Sequence, residues 1–220
     1  MKIRDIATLI VAETLLSLVL FAGVVAVLVF FLRRPLRRYK PVDMAVFEKL
    51  KPGVNTVNNR LMLFFTFLGK HQFLIPANLL LILYFLFVTH QSWLSIRVLT
   101  ISLSSPVLMI LLKQLFQRKR PLSPLLMAAK VLSFPSGHAI MSMTFYGLLV
   151  YFVHQSQIAS WLTFIIIGLL VALILLVGFS RIYLRVHYAS DVISGFIIGL
   201  VWLSISLAVL NTIEGYIVSP

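Results

Sequence analysis

Residues 158–191 read Ile158-Ala-Ser-Trp-Leu-Thr-Phe-Ile-Ile-Ile-Gly-Leu-Leu-Val-Ala-Leu-Ile-Leu-Leu-Val-Gly-Phe179, followed without a break by Ser180-Arg181-Ile-Tyr-Leu-Arg185-Val-His187-Tyr-Ala-Ser-Asp191. The first part is an apolar run with no charged residue, and about 20 such residues in a helix cross a bilayer. The second part gathers arginine, histidine and aspartate where such a helix would leave the hydrocarbon. A spanning helix that delivers chemistry to its end is therefore the pattern from which the rest of the chain is read.

Working outward, the same kind of apolar run recurs. Six spans are expected: about Ala7 to Leu32, Phe73 to Thr89, Val98 to Phe116 with a kink at Pro106, Ala139 to Val153, Ile158 to Phe179 and Val192 to Leu210. Composition agrees, because the chain is 60% hydrophobic with a mean hydropathy of +1.04, well above the roughly 45–50% apolar content of soluble domains. The expected fold is all-α, an integral membrane six-helix bundle forming one domain over residues 1–220. Lys2 and Arg4 before the first apolar run imitate a secretory signal. That run is too long, however, and ends in Arg33-Arg34-Pro35-Leu36-Arg37-Arg38 without a small-residue cleavage site, so an uncleaved first helix is expected. Glu13 inside it is costly in lipid and reads as a packing residue. The absence of cysteine excludes disulfides, thiolate metal sites and cysteine nucleophiles.

Between the first two spans, Phe47, Leu50, Val54, Val57, Leu61, Phe64 and Leu68 recur at three- and four-residue steps. They predict an amphipathic helix, broken near Pro52-Gly53, lying in the headgroup plane. In the last span Gly195 and Gly199 form a small-xxx-small pair suited to close helix packing. Trp93 and Trp161 fall in connections on one side of the bundle, as interfacial anchors.

The 19 basic residues face six acids, four of which precede residue 50. The cations outside the motifs read as attraction to anionic headgroups, with the bilayer and not nucleic acid as partner. Three clusters remain: Lys113 to Arg120-Pro121, Pro135-Ser136-Gly137-His138, and Ser180-Arg181 to His187 and Asp191. The six-span count puts all three on one side of the membrane. Ser136-Gly137-His138 opens a helix, where free backbone N–H groups and the helix dipole attract anions and Gly137 allows close approach. Lys113, Arg120 and Arg181 can neutralise phosphoryl oxygens. His187 and Asp191 stand four apart, so the carboxylate can fix the imidazole tautomer and leave the other nitrogen free to attack. His138 remains as general acid. His71, His90 and His154 read as packing or interfacial residues.

Lys113-Gln-Leu-Phe-Gln-Arg-Lys-Arg120-Pro121, Phe134-Pro135-Ser136-Gly137-His138 and Ser180-Arg181-Ile-Tyr-Leu-Arg-Val-His187-Tyr-Ala-Ser-Asp191 resemble the three signature motifs of the type 2 phosphatidic acid phosphatase superfamily, the lipid phosphate phosphatases related to vanadium haloperoxidases. The motifs span residues 113–191, and the six-span pattern extends the resemblance over most of the chain. The resemblance implies a metal-independent hydrolase without a cofactor, acting on a phosphorylated membrane lipid. His187 would form a phosphohistidine, Asp191 would orient it and His138 would protonate the leaving oxygen. Lys113, Arg120, Ser136, Gly137 and Arg181 would hold the phosphate. Arg185 departs from the small residue common there and reads as facing headgroups.

The implied substrates include undecaprenyl pyrophosphate, phosphatidylglycerophosphate and phosphatidic acid. A lipid-to-lipid phosphotransferase would use the same intermediate, whereas a lipid transporter would not need His187 paired with Asp191. The resemblance also implies an extracytoplasmic site in a bacterial-type inner membrane. The charge count opposes it. Lys2, Arg4 and Arg97 fall on the other face, leaving sixteen of the 19 basic residues on the motif side, which the positive-inside rule would make cytoplasmic.

Overall fold

The structure is a computed structural model that describes residues 23, 26–27, 40–121, 125, 132–156 and 159–218. Apart from residues 23, 26 and 27, the first expected span, with Glu13, lies outside them. Among the described residues the chain forms seven α-helices and no strand: α1 (Lys40–Leu50), α2 (Thr56–Leu68), α3 (His71–Leu83), α4 (Ser92–Phe116), α5 (Gly137–Gln155), α6 (Ser160–Tyr183) and α7 (Ala189–Val218). Four of them are long and apolar enough to cross a membrane: α3 with the π-helical turn that extends it to Val88, then α4, α6 and α7. Their outward faces carry large apolar residues such as Leu80, Leu103, Phe164 and Leu169, as a surface solvated by lipid tails requires.

α5 is the centre of the bundle and packs against α4, α6 and α7. It is buried on several sides, through Ala139, Ile140, Ser142, Phe145, Tyr146 and Leu148. The hydroxyls of Ser142 and Thr144 return to carbonyls one turn back, at 3.2 Å each, so their burial leaves no donor unpaired. Small residues let the neighbours close in. A Cβ added to Gly195 would lie 2.8 Å from the Ala139 Cβ, and one added to Gly199 would lie 2.9 Å from the Met143 Cβ. The Gly195/Gly199 pair thus seats α7 directly on α5.

The amphipathic stretch breaks where Pro52-Gly53 sits, in a short 3₁₀ turn (Lys51–Gly53). α2 then starts from Asn55, whose side chain accepts the Asn58 N–H at 2.9 Å. Met62 and Thr66 pack inward, while Val57, Leu61 and Phe64 are exposed. In lipid an apolar stripe gains nothing by turning inward, so periodicity marks two faces without saying which one packs.

Several helices also run past their apolar cores. α4 begins at Ser92 and includes Trp93 and Arg97, α6 continues through Arg181 and α7 extends to Val218. At two of these ends, of α4 and α7, the charges pair with each other. Arg97 is buried against Glu214 and donates to the Tyr151 hydroxyl at 2.9 Å.

Candidate active site

The C-terminal ends of α4 and α6 and the N-terminal ends of α5 and α7 meet at one end of the bundle. Backbone hydrogen bonds join the segments there. The Ser133 N–H donates to the Arg118 carbonyl at 2.7 Å and the Ser136 N–H to the Asp191 carbonyl at 3.1 Å.

Asp191 stands at the third helical position of α7, and Tyr188 immediately precedes the helix. Asp191 Oδ2 accepts the Tyr188 N–H at 2.9 Å, so an acid in the first turn satisfies an orphan backbone donor. The Ser133 hydroxyl donates to the same oxygen, and Arg118 Nη1 donates to Oδ1 at 2.6 Å. The carboxylate is completely buried.

His187 lies in the turn between α6 and α7, not on the helix itself. Arg185 bends this turn through a left-handed conformation, and the Val186 and His187 N–H groups both donate to the Arg181 carbonyl at 3.2 Å. His187 Nδ1 comes to 3.7 Å from Asp191 Oδ2. That is ion-pair range and longer than a hydrogen bond, and Nδ1 has no hydrogen-bond partner. Burial pushes the His187 pKa down to about 4, against the opposing pull of the Asp191 carboxylate. The imidazole is therefore neutral near pH 7, with a lone pair available.

The cations arrive from three directions. Arg181 is buried in the last turn of α6, where Nη1 donates to Thr66 Oγ1 at 3.2 Å, and that hydroxyl is 2.8 Å from the Ser180 hydroxyl. Lys113 Nζ donates to the Leu132 carbonyl at 2.7 Å, and Arg120 Nη1 to the Val186 carbonyl at 3.4 Å. Burial lowers the pKa of Arg120, with the Asp191 charge opposing. Lys113, Arg120, Arg181 and Asp191 lie within electrostatic reach of one another. Ser136 caps α5, its hydroxyl accepting the Ala139 N–H at 3.5 Å. A Cβ on Gly137 would run into Met109 Sδ, so a side chain there would displace the flexible end of Met109 on α4.

His138 follows, within reach of the charges of Arg181, His187, Lys70 and Arg120. Arg181 Nε, His138 Nε2 and His187 Nδ1 are buried without partners. Each such group costs about 1–3 kcal/mol. Burial, and then the Arg181 charge, hold the His138 pKa well below the ordinary histidine value, so only an anion bound among these groups would favour its protonated form and offer acceptors to it and to Arg181.

From His138 and Gly137 a cavity of about 520 Å³ runs between α3 and α4, lined by Leu79, Ile82, Leu103 and Met109 among others. His71, exposed like His90 and His154, also lines it. Arg185 does not face open headgroup space. It donates to the Phe47 carbonyl of α1 at 3.4 Å and lies over the Phe47 ring.

All eight residues singled out from the sequence thus gather at this end of the bundle. Sequence reasoning missed Asp43, Thr66, Gly69, Arg118 and Ser133. Arg118 was hidden among the cations of its own motif. Gly69 left no signal, although a Cβ there would lie 2.4 Å from Val177 and 3.2 Å from the His138 ring.

Such a fold and such a site define a membrane-embedded hydrolase of lipid phosphates. The sequence model of the PAP2 superfamily matches residues 94–214, and the chain belongs to that family. It is 32% identical over 146 residues to phosphatidylglycerophosphatase B of Bacillus subtilis (strain 168), an alignment covering 64% of this chain and 70% of that one. Among solved structures, the first transmembrane PAP2 type phosphatidylglycerolphosphate phosphatase from Bacillus subtilis superposes with a TM-score of 0.73 at 24% identity, covering 92% of this chain and 96% of that one. Aquifex aeolicus LpxE superposes with a TM-score of 0.56 at 27% identity, covering 75% of this chain and 94% of that one.

Proposed function

We propose that the chain acts as a single unit that hydrolyses the phosphate of a membrane lipid of the phosphatidylglycerophosphate type through a phosphohistidine. The observation that carries this reading is the junction of two environments. A cluster of Lys113, Arg120 and Arg181 around the paired histidines opens, at His138, into an apolar cavity of about 520 Å³. One end suits a phosphate and the other an acyl chain.

In the proposed reaction the free ring nitrogen of His187 attacks phosphorus while the bond from phosphorus to the lipid oxygen breaks. His138, protonated once a phosphate dianion is bound beside it, gives that proton to the departing alkoxide. The positive charge that develops on His187 is met by Asp191 through the Nδ1 proton, and the non-bridging oxygens are held by Lys113, Arg120, Arg181 and the Ser136-Gly137 turn. Water then attacks the phosphohistidine, its proton passes to His138, and phosphate leaves with His187 restored.

No step in this scheme draws on a metal. Asp191 and Asp43 are both committed to Arg118, and the surrounding cations repel a divalent ion. The extracytoplasmic placement of the site stays part of this reading, with the exposed cations serving anionic headgroups. A test is release of inorganic phosphate by the purified protein in detergent from phosphatidylglycerophosphate, phosphatidic acid and a polyprenyl pyrophosphate, with and without chelator. Release that survives prolonged chelation and is inhibited by vanadate supports the reading. Activity that needs added magnesium, or phosphate appearing only on a second lipid, contradicts it.

A further inference from the structure

Arg118 stands between Lys113 and Arg120 in the sequence, yet its guanidinium is occupied by carboxylates. Nη1 donates to Asp191 Oδ1 at 2.6 Å and to the Ser190 hydroxyl at 2.8 Å, and Nη2 donates to Asp43 Oδ2 at 2.8 Å. Its plane covers the Tyr188 ring, 4.2 Å from the ring centroid. Its backbone carbonyl also accepts the N–H of Ser133, whose hydroxyl reaches the other oxygen of Asp191. Both oxygens of Asp191 are thus governed from this one segment.

Asp43 belongs to α1, outside the residues matched to the family. It is 1% exposed, although its neighbours Val42 and Met44 are open. It accepts the Ser190 N–H at 3.0 Å and the Ser190 hydroxyl at 2.7 Å, on the residue preceding Asp191. Phe47, one turn further along α1, stacks on Tyr188 with ring centroids 5.8 Å apart. α1 is therefore fastened to the start of α7, with a buried carboxylate at the contact.

From the neutral His187 ring the groups run through Asp191 and Arg118 to Asp43, a carboxylate on either side of the arginine. In a buried setting such neighbours act strongly on one another. An arginine paired with Asp191 alone would absorb much of the negative charge that His187 needs while it bonds phosphorus. Asp43 offsets that arginine, so Asp191 is held in place without being neutralised.

We propose that Arg118 and Asp43 are positioning residues of the reaction: they fix the orientation and effective charge of Asp191, and through it the nucleophilicity of His187. The proposal rests on His187 being the attacking group. His187 is faced as well by Arg181 of α6, by Arg120 of the segment after α4 and by His138 of α5. These stay constant in the variants below, so differences between variants report on Asp43 and Arg118.

The test is a nitrogen NMR titration of the His187 ring in the purified full chain in detergent, assigned by its loss in His187→Gln. It is read beside kcat and KM for phosphatidylglycerophosphate. Asp43→Asn leaves Arg118 unbalanced, so His187 should titrate at lower pH and kcat should fall about tenfold with KM little changed, by analogy with the loss when an outer-shell partner of a metal-bound histidine is removed. Arg118→Met removes the competing cation, so His187 should titrate at higher pH. Opposite shifts are the signature, since a merely structural role would move both variants alike. Glu48→Gln, on the exposed face of α1, should change neither readout. If Arg118→Met does not fold, Arg118→Lys should restore the fold and most of the titration point but not kcat. Unchanged titration in Asp43→Asn, or shifts of the same sign in both variants, overturns the proposal. An active His187→Ala would instead remove the reading on which it rests.

Discussion

His187 is buried beside a carboxylate that it does not yet touch, and this sets how acid affects the protein. A histidine in the unfolded chain takes up a proton near pH 6.5, whereas His187 in the fold does so only at about 4. Its contribution to stability is therefore fully present above about pH 6.5 and is lost as the pH falls toward 4, by about 3 kcal/mol. Thermal unfolding in detergent at pH 7.5 and pH 5 should show a larger acid-induced loss for wild type than for His187→Gln, and equal losses would contradict the assignment. The two histidines should also separate kinetically. His187→Ala should abolish phosphate release, while His138→Ala should slow it by roughly 10²–10⁴-fold. Near-normal release by His187→Ala in a detergent assay would exclude the phosphohistidine.

At the scale of the element, the site depends on how closely α7 lies on α5. The loop before α5 carries Ser133, the start of α5 carries Ser136 and His138, and α7 carries Asp191. The close approach at Gly195 and Gly199 therefore sets the distance between the two halves of the chemistry. A side chain at Gly199 would meet Met143 and the Ile140 carbonyl, whereas one at Gly215 meets nothing within 4 Å. Gly199→Leu should lower stability by about 1–3 kcal/mol through overpacking, and Gly215→Leu should leave it unchanged. Comparing the two melting temperatures in the same detergent checks this. The same argument locates Gly69, whose missing side chain lets the turn between α2 and α3 rest against His138.

Across the whole molecule, the cavity between α3 and α4 leads from apolar helix faces to His138 at the cationic end of the bundle. If acyl chains occupy it, kcat/KM should fall as a lipid phosphate is shortened from long to very short chains, with most of the loss in KM, because uniform binding energy is removed. A series of matched headgroups in one detergent measures that slope, and a flat series would exclude the cavity as the lipid site. Orientation is a property of the same scale. The chain has no cysteine, so single cysteines at the exposed Lys119, near the site, and Gln91, at the far end, report on it directly. With an extracytoplasmic site, Lys119→Cys should react with a membrane-impermeant reagent in intact cells whose outer envelope admits it, and Gln91→Cys only after lysis. The reverse pattern would place the site in the cytoplasm, as the basic-residue count requires.

The sequence by itself determined that this chain is a helical membrane protein, because apolar runs of spanning length need no tertiary information to be read. It also singled out the residues of the candidate site: charge and histidine are so sparse in such a chain that Lys113, Arg120, His138, Arg181, His187 and Asp191 stand out against lipid-facing leucine and isoleucine. Tertiary structure alone decided which face of α2 packs, since lipid and protein interior are equally apolar and periodicity cannot tell them apart. It alone assigned Arg118 to Asp191 and Asp43, and not to the phosphate cluster it resembles in sequence. It alone brought Asp43 to the site from a helix 148 residues before Asp191 in the chain. A charge written in a sequence carries no record of its partner, and only packing brings the two within a few ångströms.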